Sequence, residues 1–186
     1  MEFNESVQLT KALLVILLVT FCSATDLAVR RIPNVVLLPA LATALFLNSV
    51  SGGVWGLLDS LCGLVIGLLM LMPLHVLGRM GAGDIKLLAV VGSILGSWGA
   101  ILAGLATMAA GGILALTYVL WLVTKPAVIA KIPQVVHRAM GRTPTPIDGM
   151  TWRTVGAAEI PYAIAIAAGT FATLAYLQIL TEAGVK

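Results

Sequence analysis

Two aspartates lie at the ends of long apolar segments, where they could share one chemical task. Asp26 ends the first apolar block, and Asp84 lies in the stretch Gly-Ala-Gly-Asp-Ile-Lys between two further blocks. An acid inside or beside a membrane segment is costly and is usually functional. Two carboxyl groups a few ångströms apart cannot both ionise easily, so one keeps a proton. Such a pair could hydrolyse a peptide: the carboxylate takes a proton from water while the carboxylic acid polarises the carbonyl.

Each acid also has a structural interpretation when it is taken alone. Asp84 follows a glycine and precedes an apolar run, which is typical of a helix N-cap. Asp26 could pair with Arg30 one turn further on, or could simply end a helix at the membrane interface. The functional interpretation therefore depends on the two acids lying together.

Five residues beside the acids are predicted to shape the site, namely Gly81, Gly83, Pro33, Asn34 and Lys86. The glycines permit positive φ angles and the close approach of another chain. The proline removes a backbone donor and fixes the turn after the first acid. The asparagine amide can hold a loop or a substrate backbone. The lysine can favour ionisation of the second acid or bind lipid headgroups, and anchoring to headgroups is the simpler role.

The composition indicates an integral membrane protein. Of the 186 residues, 60% are hydrophobic and only 10% are charged, whereas about a quarter of the residues in a soluble domain are charged. We expect one all-α transmembrane domain over residues 1–186. The net charge of +3 fits positive loops and predicts no nucleic-acid partner. Cys22 and Cys62 lie in apolar stretches and are interpreted as buried hydrophobes, so neither a metal site nor another cofactor is predicted.

Segment lengths predict a bundle of about six transmembrane helices. Residues 87–124 carry no charge, and one helix of that length would measure about 57 Å, nearly twice the hydrocarbon thickness. A turn is therefore expected at Gly96-Ser97-Trp98-Gly99, and another at Ser51-Gly52-Gly53. The predicted helices are 7–25, 35–50, 54–77, 85–97, 100–124 and 160–181, with a polar loop at 125–159.

Basic residues predict the orientation of these helices. Nine of the eleven Lys and Arg residues fall in the loops that follow the first, third and fifth predicted helices, and the other two connections carry none. The positive-inside rule places those three loops in the cytoplasm and both termini on the opposite side. Glu2 and Glu5 precede the single Lys11, a charge balance that favours a retained span over a cleaved signal peptide.

Three segments together resemble type IV prepilin peptidases, which are GxGD-type intramembrane aspartyl proteases. These segments are Thr25 to Asn34 with its Ile-Pro-Asn ending, Gly81 to Lys86, and Glu159-Ile160-Pro161-Tyr162 at the last helix. The likeness extends over nearly the whole chain and is strongest to the short peptidases of Flp/Tad pilus systems.

The resemblance implies a function and a place in the cell. It implies that Asp26 and Asp84 are catalytic, with Gly81 and Gly83 supporting them. It implies a multi-pass protein of the bacterial inner membrane that contacts lipid. It also implies a prepilin-like substrate whose basic leader is cut at the cytoplasmic face. The oligomeric state is left open.

One departure from the larger relatives restricts this expectation. Bifunctional members carry a cytoplasmic domain with paired CxxC motifs after the first helix and also methylate the new N-terminus. The corresponding loop here runs only from Asp26 to Asn34 and has no cysteine, so we predict cleavage without a zinc site.

Two other functions remain open from the residues. A small proton-coupled transporter or channel would use the acids as relays along a polar path. A non-catalytic scaffold of a pilus or secretion apparatus would bind a partner through loop 125–159. Two further polar residues are interpreted as structural: Asp59 at the far end of the third predicted helix, and His75 in the core.

Overall fold

The computed structural model describes residues 2–29, 32–77, 80–124 and 162–182, and these residues form four helices. Helix α1 is Glu2–Val29, α2 is Asn34–Val76, α3 is Ala82–Thr124 and α4 is Tyr162–Glu182. All four are long and apolar enough to cross a membrane, and the protein is a multi-pass membrane protein. The described residues contain no strand. The predicted loop 125–159 lies outside them.

Contacts divide the chain into two compact units. The first comprises residues 1–111 and 161–186, and the second comprises residues 112–160. The described part of the second unit is the end of α3, where the rings of Tyr118 and Trp121 lie 6.1 Å apart.

The two longest helices are each interrupted at a predicted turn. Gly53 in α2 has φ +59° and Gly96 in α3 has φ +80°, which are conformations that favour glycine. A Cβ placed on Gly56 would collide with the carbonyl oxygen of Asn48, eight residues earlier. In a straight helix eight residues span about 12 Å. The chain therefore folds back at Gly53.

The interruption at Gly96 is stabilised by side chains from α2. In an unbroken helix the Ser97 N–H would bond to the Ser93 carbonyl. Here the Ser97 N–H donates to Asp59 Oδ1 at 3.1 Å. The Ser93 carbonyl accepts from Ser60 Oγ at 2.7 Å and from Asn48 Nδ2 at 3.0 Å. Because backbone groups freed at a helix break need partners, α2 supplies caps for both sides of the bend in α3.

Lys11 joins α1 to the same region. Its ammonium group donates to Asn48 Oδ1 at 2.8 Å and to Ser51 Oγ at 3.4 Å, and the residue is only 8% exposed. The bend of α2 thus offers oxygen acceptors to the buried Lys11 ammonium group. We refer to Lys11, Asn48, Ser51, Asp59, Ser60, Ser93 and Ser97 as the polar cluster.

The core is apolar and is formed by all four helices. Val15, Val19, Leu71, Leu88 and Ile166 are among its fully or almost fully buried side chains. Small residues let the helices approach closely. A Cβ on Gly63 would meet the Gly92 carbonyl oxygen, one on Gly67 would lie 2.5 Å from the Leu88 carbonyl oxygen, and one on Gly104 would meet the Met70 sulfur.

Several predicted boundaries and burial states differ from the structure. Helix α1 continues to Val29, and α3 begins at Ala82 rather than at 85. Cys22 is buried as expected, but Cys62 is exposed. It lies on the side of α2 away from the glycines that contact α3, so no neighbouring helix covers it in the described residues.

Candidate active site

The two aspartates occupy the facing ends of α1 and α3. Asp26 lies in the last turn of α1, and Asp84 lies in the first turn of α3. Both are partly buried. The structure brings their carboxyl groups close enough to interact electrostatically. The sequence suggested that a loop begins at Asp26. Asp26 lies instead within α1, so the helix fixes the direction of its side chain.

The Asp84 carboxyl group has one oxygen bound and the other free within the described structure. A backbone hydrogen bond links Gly81 to this carboxyl group. Its Oδ1 is buried and has no hydrogen-bond partner among the described residues. A buried polar atom without a partner is costly. Such an atom, beside a second carboxyl group, is suited to bind a proton, a water molecule or a polar substrate group.

The two glycines contribute by having no side chain, and their backbone angles are not unusual. Neither Gly81 nor Gly83 has a positive φ, and their role in shaping the site stays a prediction. A Cβ on Gly83 would lie 3.1 Å from the Ile32 Cβ, and one on Gly81 would lie 3.4 Å from Asp84 Oδ2. Gly83 therefore permits close packing of the segment before α2 against the start of α3.

Pro33 and Asn34 form the entrance to α2. Pro33 has φ −74° and ψ 122°, and its carbonyl accepts from the Val36 N–H at 3.1 Å. The proline is the N-cap of α2, and its restricted φ suits this entry to the helix. Asn34 Oδ1 accepts a hydrogen bond from Lys86 Nζ at 3.3 Å. Asn34 therefore joins α2 to α3.

Lys86 lies apart from the two acids. It follows Asp84 by two residues, which is about 200° around an α-helix. Its side chain is exposed and lines a groove with Asn34, Ala89 and Val90. Its role as a site-shaping residue stays a prediction, and its contacts place it on the other face of α3.

Three residues near the acids were not singled out as site residues by the sequence. Cys22 is buried one turn before Asp26 on α1. Ile32 packs on Gly83. His75, expected in the core, is instead exposed, and its Nδ1 lies 2.8 Å from the Met80 carbonyl oxygen. The four-residue spacing from Cys22 to Asp26 could have revealed the first. The contact of Ile32 with Gly83 is tertiary, whereas the His75–Met80 contact joins residues only five positions apart.

Asp59 lies far from the pair, as predicted. It belongs to the polar cluster with Lys11, and Lys11 precedes Asp26 by fifteen residues, or about 22 Å along α1. Within the described residues, no three His, Cys, Asp or Glu side chains form a group that could hold a metal ion. The Asp26–Asp84 pair is therefore the candidate catalytic group.

Comparison with known proteins identifies the family of this chain. Residues 13–116 match the type IV leader peptidase family, a range that contains both acids. A prepilin leader peptidase/N-methyltransferase of Bacillus subtilis (strain 168) is 35% identical over 98 residues, covering 51% of this chain and 39% of the relative. The chain thus matches about two fifths of that relative's length. No solved structure matches the chain. The protein belongs to the type IV leader peptidase family.

Proposed function

We propose that the protein is an aspartyl endopeptidase that removes the leader peptide of a prepilin-like protein. The observation that carries the proposal is the electrostatic proximity of the Asp26 and Asp84 carboxyl groups, which α1 and α3 supply from distant parts of the sequence. Membership of the leader peptidase family supports the reaction class. The curated relative is a prepilin leader peptidase, which supports the substrate class.

Each carboxyl group has a distinct part in the proposed reaction. One is ionised and removes a proton from a water molecule, whose oxygen attacks the scissile carbonyl carbon. The other is protonated and donates a hydrogen bond to the carbonyl oxygen as negative charge develops there. The C–N bond then breaks, and the proton that was taken from water passes to the nitrogen of the departing amine. Asp84 has a buried oxygen without a partner in the described structure, so it is suited to hold the shared proton.

We further propose that the chain crosses the bacterial inner membrane six times, with both termini outside and the acids at the cytoplasmic face. Helices α2 and α3 each contain 43 residues, about 65 Å if straight, which is twice the thickness of the hydrocarbon core. The breaks at Gly53 and Gly96 divide each into two spans. The position of the basic residues supports the orientation. A short Flp-like prepilin with a basic leader is the proposed substrate, and the proposal is limited to cleavage.

The alternative of a proton-coupled transporter has less support. The acid pair lies at one end of the described helices and the polar cluster at the other. Between them the buried residues of α1 are apolar: Val15, Leu18, Val19 and Cys22. The buried threonines of α3 and α4, Thr107, Thr170 and Thr173, bond to carbonyls of their own helices. The described residues thus offer no continuous polar path.

Processing of a co-expressed prepilin tests the proposal. Asp26→Asn and Asp84→Asn should each lower the cleavage rate roughly 100- to 10,000-fold, because each removes a proton donor or acceptor from the reaction. Asp59→Asn is the matched control, since it neutralises a third aspartate of the same chain far from the pair, and its rate should stay near that of the wild type. Cleavage at a normal rate by either of the first two variants would contradict the proposal.

A further inference from the structure

A groove between α2 and α3 combines an apolar floor with a cation at one end. Its volume is about 360 Å³. Leu37, Leu41, Leu64 and Leu68 line it from α2, and Ala89 and Val90 line it from α3. We call this the α2/α3 groove. Lys86 and Asn34 lie at its mouth, joined by the 3.3 Å hydrogen bond.

The floor of the groove is closed by the packing of α2 against α3. Gly67 approaches the Leu88 carbonyl so closely that a Cβ would lie 2.5 Å from it. Residues one position further along α2, at 64 and 68, are turned by about 100° from residues 63 and 67 and so face the groove. The groove is thus a furrow on the outside of this helix pair and does not lead to the acid pair.

The dimensions of the groove suit an extended apolar chain. From Asn34 to Leu41 is seven residues, or about 10 Å along α2. Over that length the groove offers about 360 Å³ between leucine side chains. A single acyl chain can lie along such a furrow.

The charge at the mouth selects the headgroup. The Lys86 side chain is exposed and its ammonium group has three donors, of which Asn34 Oδ1 takes one. Because Lys86 lies about 200° around α3 from Asp84, it does not point at the acid pair. A phosphate placed at the mouth would meet this cation, as in basic pockets between transmembrane helices that bind anionic lipid headgroups.

We propose that the α2/α3 groove binds an anionic phospholipid, with an acyl chain along Leu37, Leu64 and Leu68 and the phosphate on Lys86. The proposal is independent of the peptidase reaction. The same protein offers an internal comparison, because α1 and α2 form a second groove of about 420 Å³ lined by Leu14, Leu17, Leu18, Phe21, Val36, Pro39, Ala40 and Thr43. This α1/α2 groove has an apolar wall and no charged residue, so it should not distinguish headgroups.

Photocrosslinking in proteoliposomes tests the proposal. Phosphatidylglycerol and phosphatidylcholine with the same diazirine-bearing acyl chain are compared, and adducts are mapped to peptides by mass spectrometry. At Leu64 and Leu68 the anionic lipid should give about fivefold more adduct, the factor expected for one lysine near the headgroups. Lys86→Gln should reduce this ratio to about one, and Lys86→Arg should keep it. Adducts at Leu17 and Phe21 should show no preference in any variant.

Three outcomes would overturn the proposal. One is an equal yield of the two lipids at Leu64 and Leu68 in the wild type, and another is a preference that survives Lys86→Gln. The third is displacement of these adducts by a transmembrane prepilin peptide, which would assign the groove to a helix. An unchanged thermal unfolding midpoint and unchanged adducts in the α1/α2 groove show that Lys86→Gln remains folded, so a lost preference then supports the lipid site.

Discussion

At the scale of single residues, the surroundings of the acids decide which chemistry is available. Asp84 combines partial burial with an oxygen that has no partner in the described structure. Asp59, by contrast, accepts two hydrogen bonds from Ser97. The same type of side chain thus serves as a candidate proton carrier at position 84 and as a helix cap at position 59. The distinction depends on hydrogen-bond partners, since both acids lie in strongly apolar helices.

Gly83 provides a prediction at this scale. Gly83→Ala should lower the cleavage rate roughly tenfold. The new Cβ would lie 3.1 Å from the Ile32 Cβ, so the start of α3 would shift by a few tenths of an ångström. Misplacement of a catalytic group such as Asp84 is costly. Gly81→Ala should have a smaller effect, since its Cβ would make an ordinary 3.4 Å contact with Asp84 Oδ2. The measurement is the initial rate of prepilin cleavage in membranes.

A second substitution checks the physical reason. Ile32→Gly removes the Cβ atom that would lie 3.1 Å from the Cβ at position 83, together with the Cγ1 and Cδ1 atoms at 3.4 Å. In combination with Gly83→Ala it should recover part of the lost rate. If the double variant is as slow as Gly83→Ala alone, crowding against Ile32 is not the cause.

At the scale of helices, the bends at Gly53 and Gly96 differ in what surrounds them. A Cβ on Gly53 would have nothing within 4 Å, whereas one on Gly96 would collide with the Asp59 carboxylate. Both glycines have positive φ with an extended ψ, a region that other residues rarely adopt. The bend in α3 therefore depends both on its glycine and on a cap supplied by α2.

This difference leads to a prediction about stability. Gly53→Ala should lower the free energy of unfolding by about 1 to 3 kcal/mol, the usual cost of such a backbone angle. Gly96→Ala should cost about 1 kcal/mol more, because it also displaces the cap. Unfolding of the purified protein in detergent, followed by circular dichroism, measures both values.

The Asp59→Ala background separates strain from the loss of the cap. With Asp59 already truncated, Gly53→Ala and Gly96→Ala should lower the free energy of unfolding by equal amounts. The cap is then absent in both cases, so only the cost of the backbone angle remains. A larger effect of Gly96→Ala that persists in this background would show that another contact causes it.

At the scale of the whole molecule, two polar regions lie at opposite ends of an apolar core. The acid pair is at one end, and the polar cluster, which holds Lys11 against Asn48, is at the other. A Lys side chain is almost never fully buried unless it is paired, and the hydrogen bonds to Asn48 and Ser51 meet that need. The cluster joins α1, α2 and α3 at the end away from the acids, so it helps to hold the two acid-bearing helices in place.

The six-span topology gives a prediction at this scale. In a variant without native cysteines, Gly52→Cys should react with a membrane-impermeant maleimide in intact cells, whereas Arg79→Cys should react only after permeabilisation. Gly52 is exposed, and a Cβ there would meet nothing within 4 Å, so the substitution should not disturb the bend. Gly52→Cys that stays unlabelled under both conditions would indicate that α2 crosses the membrane only once.

Much of the helical framework follows from the sequence because the bilayer imposes a length. An apolar segment of about 20 residues spans the hydrocarbon core, so segments twice as long must break, and glycine is the residue that allows a sharp break. The predicted breaks at Gly52-Gly53 and Gly96 coincide with the two described interruptions. Helix ends were less well predicted, because Asp26 and Asp84 are accommodated within terminal turns instead of outside them.

The sequence by itself determined that this is a helical membrane protein with two acids at helix ends and a family resemblance that the comparisons confirm. Only the tertiary structure decided which groups meet: Asp59 with the Gly96 bend, Lys11 with Asn48, Ile32 with Gly83, and Lys86 with Asn34. The reason is physical. Span lengths and turns depend on neighbours in the chain and on the thickness of the bilayer, whereas these contacts join residues 37 to 52 positions apart and depend on how whole helices pack.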